Sequence, residues 1–408
     1  MAIALSDIGI KHLKTKDYGF RGRLFSTDED FVVEEIESDG ESLRASSDSL
    51  DVGEQAAETL IKGDFLLFTL VKKGISTQEA LRVIARATHI NIKRFGYLGN
   101  KDSRAVTAQR ISIFKGRREW FGKEFRNIVL KDFRYAGSGC KIGDLTGNRF
   151  TVVIRDFDGR DEDLRAFSEE AAAGLPNFYG PQRFGASALN IRVSRYILQK
   201  DFRSAMSALI LDERDESQIS SEARKSLKSA FYDYINLDST GNVGEMEGAL
   251  SRAPPFFHTE KLVLSHLLKN RHDYAGAIRL VPKYFRLLII QAYQAYVFNR
   301  VLSECLDNGA LPAKIPTIGY DLDLTKVDND AIAAAMKKAV EEAGLGGLED
   351  LKIPQMPEAS LKTFEREGAL IPTGLHFERV GRDLRLSFEL GKGSYATVLL
   401  GEMFRYRV

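Results

Sequence analysis

The sequence predicts a mixed α/β protein whose core is interrupted by an inserted domain. Strand-like segments lie near both chain ends, a helix-rich stretch lies between them, and 408 residues suit two domains. The terminal strands are therefore expected to meet in one sheet. A composition of 44% hydrophobic and 28% charged residues excludes a disordered or fibrous chain.

In chain order, residues 19–25 and 31–36 read as strands joined by the polar turn Ser26-Thr-Asp-Glu-Asp. Residues 37–59 are acidic and serine-rich, which predicts a mobile loop. The apolar run 64–71 predicts a buried strand. Ser76-Thr-Gln-Glu79 is a capping box that opens a helix to Thr88, with Ala80, Leu81, Ile84 and Ala85 on one face and Arg82 and Arg86 on another. Strands follow at 94–98, 107–114 and 150–154, with a polar loop at 99–105 and a helix at 162–173. Residues 177–185 read as a loop and 187–198 as a helix. The mixed stretch to Leu370 holds one clear helix, 284–305, and a break at Ala343-Gly-Leu-Gly-Gly347. A strand at 383–390 and a helix at 394–404 close the chain.

The start of the chain lacks the basic, apolar and small-residue regions of a signal peptide, and no apolar run reaches membrane-span length. A cytoplasmic location, with no membrane association, is expected. Cys140 and Cys305 are expected to be buried, unpaired thiols. The six histidines show no metal-ligand spacing, so no metal is expected. Gly391-Lys-Gly-Ser394 lacks the upstream glycine of a phosphate loop, and no Gly-x-Ser-x-Gly elbow occurs. Nothing supports ATP, nicotinamide or another cofactor.

The net charge of +1 is uninformative, but its distribution is not. Between Arg82 and Arg126 twelve basic residues face three acidic ones, whereas between Asp28 and Glu58 twelve acidic residues face one basic residue. A charge run commonly marks only a solvated face. This basic block surrounds the polar loop Gly99-Asn-Lys-Asp-Ser-Arg104, a placement that favours an RNA backbone as partner. There Lys101 and Arg104 flank Asp102, where they would favour its ionised form or grip phosphates. Asp102 reads as a nucleophile or electrostatic stabiliser, or as a turn aspartate bonded to its own backbone. The loop Asn177-Phe-Tyr-Gly-Pro-Gln-Arg-Phe-Gly185 suits an unstacked base: Tyr179 or Phe178 could stack on it and Asn177 could bond its edge. Arg183 could hold a phosphate or a carboxylate. Packing aromatics in a structural turn are the alternative.

Taken together, these segments resemble the TruD family of pseudouridine synthases. The likeness rests on Phe31-Val-Val-Glu-Glu35, Gly96-Tyr-Leu-Gly-Asn-Lys-Asp-Ser-Arg-Ala-Val-Thr107, Leu145-Thr-Gly-Asn-Arg-Phe150, the loop at Asn177, Gln291-Ala-Tyr-Gln-Ala-Tyr-Val-Phe-Asn299 and Gly393-Ser-Tyr-Ala-Thr397, in that order. It implies an α/β (α+β) pseudouridine-synthase catalytic domain with a mixed, largely antiparallel sheet. An inserted family-specific α/β domain would interrupt it, giving catalytic residues 1–185 and 371–408 around an insert at 186–370. It also implies transfer RNA as substrate, typically at uridine 13, with RNA in the cleft between the domains and no cofactor or obligatory protein partner. Asp102 carries over as nucleophile, Tyr179 and Asn177 as the base-pocket aromatic and amide, and Phe31 as pocket floor. Two departures stand out: Gly401 replaces the family's usual arginine, a contact that Arg405 could supply, and Lys392 stands where proline is frequent. A non-catalytic RNA-binding protein or RNA chaperone on the same scaffold is the competing reading. An RNA methyltransferase, the third, lacks a glycine-rich cofactor loop.

Overall fold

The computed structural model describes residues 3–46, 63–211, 218–236, 243–255 and 257–406. Most of the acidic segment, residues 47–59, lies outside them. The chain divides into two compact units, 15–175 with 370–408, and 1–14 with 176–369.

The first unit, which carries the large sheet, is built on mixed parallel and antiparallel pairing. Its strands include β1 (Arg21–Arg23), β2 (Phe31–Ile36), β3 (Phe65–Lys73), β4 (Phe95–Tyr97), β5 (Val106–Phe114), β6 (Ile128–Ala136) and β7 (Gly147–Asp158). The C-terminal hairpin of Thr373–Val380 and Asp383–Gly391 joins beside β7, giving the order hairpin, β7, β2, β5, β3, β6, with β1 on β7 and β4 on β5. Strands from both parts of the sequence thus share one sheet, as expected. The β2–β5 pair is parallel and its neighbours are antiparallel.

Strand alternation sorts side chains between the sheet's faces. On one face Phe31, Val33, Phe150, Val152 and Phe388 pack under α2 (Asp161–Ala172) and the C-terminal helix Ala396–Phe404. Register places Val33 beside Thr107, and Thr107 beside Lys72, on that same face. Further along it, Phe68, Leu70, Ile111 and Ile113 receive α1 (Thr77–Thr88) through Ala80, Leu81 and Ile84. The capping box forms as read: the Glu79 amide donates to Ser76 Oγ at 3.2 Å and the Ser76 amide to Glu79 Oε2 at 3.2 Å. Two apolar clusters therefore flank a strip of polar positions, and the loop at Asp102 crosses there.

The inserted unit is mainly helical. Its central helix, Lys283–Asp307, buries Ile290, Ala292, Tyr293, Ala295, Val297, Phe298 and Val301. A short antiparallel pair joins Lys314–Pro316 to Glu365–Glu367. The domain boundaries differ from the expected ones at both ends. Residues 1–14 belong to this unit because Asn299 Nδ2 donates to the Ile8 carbonyl at 2.9 Å and Lys11 Nζ pairs with Glu304 and Asp307. Residues 176–185 belong to it because the Asn177 amide donates to the Gly368 carbonyl and Asn299 brackets Tyr179. Local sequence does not reveal contacts of such long span.

Candidate active site

The loop between β4 and β5 is held from beneath by the polar strip. The apolar alternation of β2 ends in Glu35 and that of β3 ends in Lys72, both fully buried. Lys72 Nζ donates to the Asp102 carbonyl at 2.6 Å. The Lys101 amide donates to Thr77 Oγ1 at 3.0 Å, Thr77 Oγ1 donates to Gln109 Oε1 at 2.8 Å, and Gln109 Nε2 reaches the Gly99 carbonyl at 3.3 Å. The Gly74 amide holds the Ala105 carbonyl at 3.3 Å. Backbone groups of Gly99, Lys101 and Asp102 are thus fixed by strand and helix side chains and that of Ala105 by a backbone amide, while the Asp102 side chain stays exposed. This arrangement presents a carboxylate to solvent on a preorganised support.

The cations differ from their expected roles. Lys101 does not flank Asp102 as a free phosphate grip. Its Nζ lies 2.8 Å from Glu35 Oε1, with the two side chains 7% and 0% exposed. Glu35 Oε2 accepts the Arg110 amide at 2.7 Å. Burial pushes the Glu35 carboxyl up from its ordinary range, opposed by Lys101. Arg104 is exposed. Phe31 packs inward, edge-on to Phe25 at 5.1 Å and stacked on Phe150 at 6.0 Å. Across the basic block, Arg82, Arg86, Lys93, Arg117, Arg118, Lys123 and Arg126 are exposed, and none makes an ion pair among the described residues.

In the inserted unit, Asn177 and Tyr179 come together around a residue that sequence reading missed. Arg366 Nη2 donates to the Asn177 carbonyl and to its Oδ1, both at 3.1 Å. Its guanidinium lies 4.0 Å from the Tyr179 ring centroid. Asn177 Nδ2 donates to the Glu367 carbonyl at 2.9 Å. The Tyr179 ring is 8% exposed and meets Phe298 edge-on at 5.5 Å. One aromatic face is therefore covered by a guanidinium, a charge-assisted stack rather than the open platform expected. Phe178 is fully buried. Arg183 pairs with no carboxylate among the described residues: its Nη2 donates to Gln291 Oε1 at 2.8 Å and its guanidinium lies 5.8 Å from the Tyr179 ring centroid. The available signal for Arg366 was its place at the inward position of a Glu-Arg-Glu strand; for Lys72 and Glu35 it was the strand parity that continues from apolar neighbours.

Both departures from the family pattern have local causes. A Cβ at Gly401 would lie 2.1 Å from the Tyr406 ring, so this aromatic occupies the space of a larger residue. Arg405 is occupied by the Thr15 carbonyl at 2.8 Å. The Lys392 amide donates to the Thr146 carbonyl at 3.2 Å, a bond proline could not make. Burial raises both thiols, Cys140 to about 11. Among the described residues no group of three potential metal ligands forms, and no helix is long and apolar enough to cross a membrane.

A mixed sheet carrying a rigid loop with an exposed carboxylate, in a unit interrupted by a helical insert, is the architecture of a pseudouridine-synthase-type enzyme. The family model described as tRNA pseudouridine synthase D (TruD) matches residues 7–315 and 306–403. The chain belongs to the TruD family of tRNA pseudouridine synthases. It is 33% identical over 359 residues to a protein of Methanopyrus kandleri described as a probable tRNA pseudouridine synthase D, covering 84% of this chain and 86% of that one. A Methanococcus vannielii protein of the same description is 31% identical and covers 96% of each chain. A crystal structure described as TruD from Methanosarcina mazei superposes with a TM-score of 0.72 at 25% identity, covering 99% of each chain.

Proposed function

We propose that this protein isomerises uridine to pseudouridine in transfer RNA, at uridine 13, with Asp102 as the nucleophile and no cofactor. The observation that carries this reading is the exposed Asp102 carboxylate on a loop whose carbonyls and amides are held by Lys72, Thr77 and Gln109. The reaction breaks the N1–C1′ bond of the nucleotide, forms a C5–C1′ bond, and moves a proton from C5 while N1 gains one. Atoms and electrons balance within the nucleotide, so no redox partner or group donor is required. The work left to the protein is extrusion of the base, retention of free uracil while it turns, and attack by a carboxylate.

Extruding the nucleotide costs a few kcal/mol. The exposed cations at Arg82, Arg86, Arg104, Lys93 and Arg117 are assigned to the RNA backbone, where phosphate contacts offset that cost. Tyr179 and Asn177 are assigned to the base, with Arg366 holding both in place, and Arg183 to the aromatic loop's alignment through Gln291. Phe31, the first residue of β2, is assigned to the pocket floor. Membership in a transfer-RNA-modifying family supports action in the cytoplasm.

The test is release of tritium from transfer RNA labelled at uridine C5, with mass-spectrometric mapping of the product. Release with pseudouridine at position 13 is expected. No release above background, with transfer RNA still bound, would overturn the enzyme reading in favour of an RNA-binding or chaperone role. Release with product only elsewhere would overturn the assignment to position 13.

A further inference from the structure

The least expected group in the sheet-bearing unit is the side chain of Lys72. It sits near the end of an apolar strand, 1% exposed, and among the described residues its side chain bonds only a neutral carbonyl, that of Asp102 at 2.6 Å. Among the described residues no carboxylate lies within ion-pair distance of its Nζ. Every other anchor of the loop is neutral or internally compensated. Thr77 and Gln109 carry no charge, and Lys101 is paired with Glu35. A neutral side chain could hold one carbonyl. A buried ammonium without a paired anion is disfavoured by desolvation, so its persistence calls for a use of the charge.

We propose that Lys72 is a positioning residue for the reaction: it pins the backbone of Asp102 and supplies a buried positive charge beneath the loop that aims the Asp102 carboxylate at the nucleotide. This rests on the reading of Asp102 as nucleophile. Charged groups reach Lys72 from each flanking element: Asp102 and Lys101 from the loop, Asp28 from the turn before β2, and Glu79 from α1. Asp102 is the largest favourable influence among them, and Lys101 opposes. Burial, the dominant effect, brings the ammonium down to about 8. The sign follows directly: Lys72 is charged below that value and loses its proton above it, so the support it gives Asp102 fades as pH rises through about 8.

The experiment measures single-turnover rate, KM for transfer RNA and pH–rate profile for wild type, Lys72→Met, Lys72→Arg and Asp102→Asn, with thermal melts as the folding control. Lys72→Met matches the volume and removes the charge; by comparison with loss of one preorganised electrostatic contact, the rate should fall roughly 100-fold or more with KM changed little. Its melting temperature should hold or rise, since an uncompensated buried charge is gone. Lys72→Arg should recover part of the rate and move the alkaline fall of activity to higher pH, because guanidinium stays charged. If Lys72→Met does not fold, the Lys72→Arg profile decides. A folded Lys72→Met within about threefold of wild type in rate, or an alkaline limb unmoved in Lys72→Arg, overturns the proposal, the threefold margin being less than about 0.7 kcal/mol of barrier. Asp102→Asn separates the two claims. If it is inactive while Lys72→Met is normal, only the role of Lys72 fails; if it is fully active, the nucleophile reading itself fails.

Discussion

Breaking the Glu35–Lys101 pair should unfasten the loop more than any surface change. With Nζ 2.8 Å from Oε1, the attraction is about 6 kcal/mol at an effective dielectric of about 20. Desolvating two side chains that are 7% and 0% exposed offsets most of it, so the intact pair adds little net stability. Removing one partner is different, because the other stays buried and uncompensated, at about 3–5 kcal/mol. Glu35→Gln and Lys101→Met should each lower unfolding free energy by that amount in urea titrations near neutral pH. The double variant should recover to within about 1 kcal/mol of wild type, a coupling of about 3 kcal/mol or more. The pH dependence has a definite sign. In Lys101→Met, burial raises the Glu35 carboxyl in the folded state above its unfolded value, so stability is fully present below the ordinary carboxylate range and is lost as pH rises through the folded value. Lys101→Met should therefore approach wild type in acid and fall behind it toward neutrality. Additive single effects, each under about 1 kcal/mol, would refute the buried-pair reasoning.

Three further outcomes follow from the geometry. Arg366→Met removes two hydrogen bonds to Asn177 and the guanidinium over Tyr179, and should cost about 2–4 kcal/mol of stability and raise KM for transfer RNA, checked by melts and steady-state kinetics. Gly401→Ala forces a Cβ against Tyr406 and should lower stability by about 1–3 kcal/mol, whereas Gly401→Ala with Tyr406→Ala should lack that steric component in a double-mutant cycle. Replacing Arg82 or Lys123 by Gln should weaken transfer RNA binding and reduce the magnitude of the salt slope by about one per phosphate contact, measured by filter binding across salt concentrations.

Much of the sheet-bearing unit was legible in the sequence, because β3 is a continuous apolar run, the strand Asp383–Gly391 alternates, and α1 carries its own cap. β6 was not, since Lys131, Asp132 and Arg134 break the apolar pattern and Asp132 takes a left-handed φ of 53° at an irregular pairing with β3. The edge strand Thr373–Val380 was missed for a related reason: His376, Glu378 and Arg379 lie along a mostly exposed ribbon. Within the site, Asp102 and the aromatic loop stood out as polar and turn-forming groups. Lys72, Glu35 and Arg366 did not, because their importance comes from burial, and burial of a charged side chain is decided by partners far along the chain. The N-terminal residues joined the inserted unit through Asn299 and Lys11, contacts that span almost three hundred positions.

The most direct measurement is the single-turnover rate of tritium release from C5-labelled transfer RNA by wild type and by Asp102→Asn, both confirmed folded by their melts. Asn keeps the size and the backbone anchors of the loop while removing the nucleophilic carboxylate, so release should fall to background with transfer RNA binding retained. Release by Asp102→Asn at the wild-type rate would contradict the assignment of Asp102 as nucleophile.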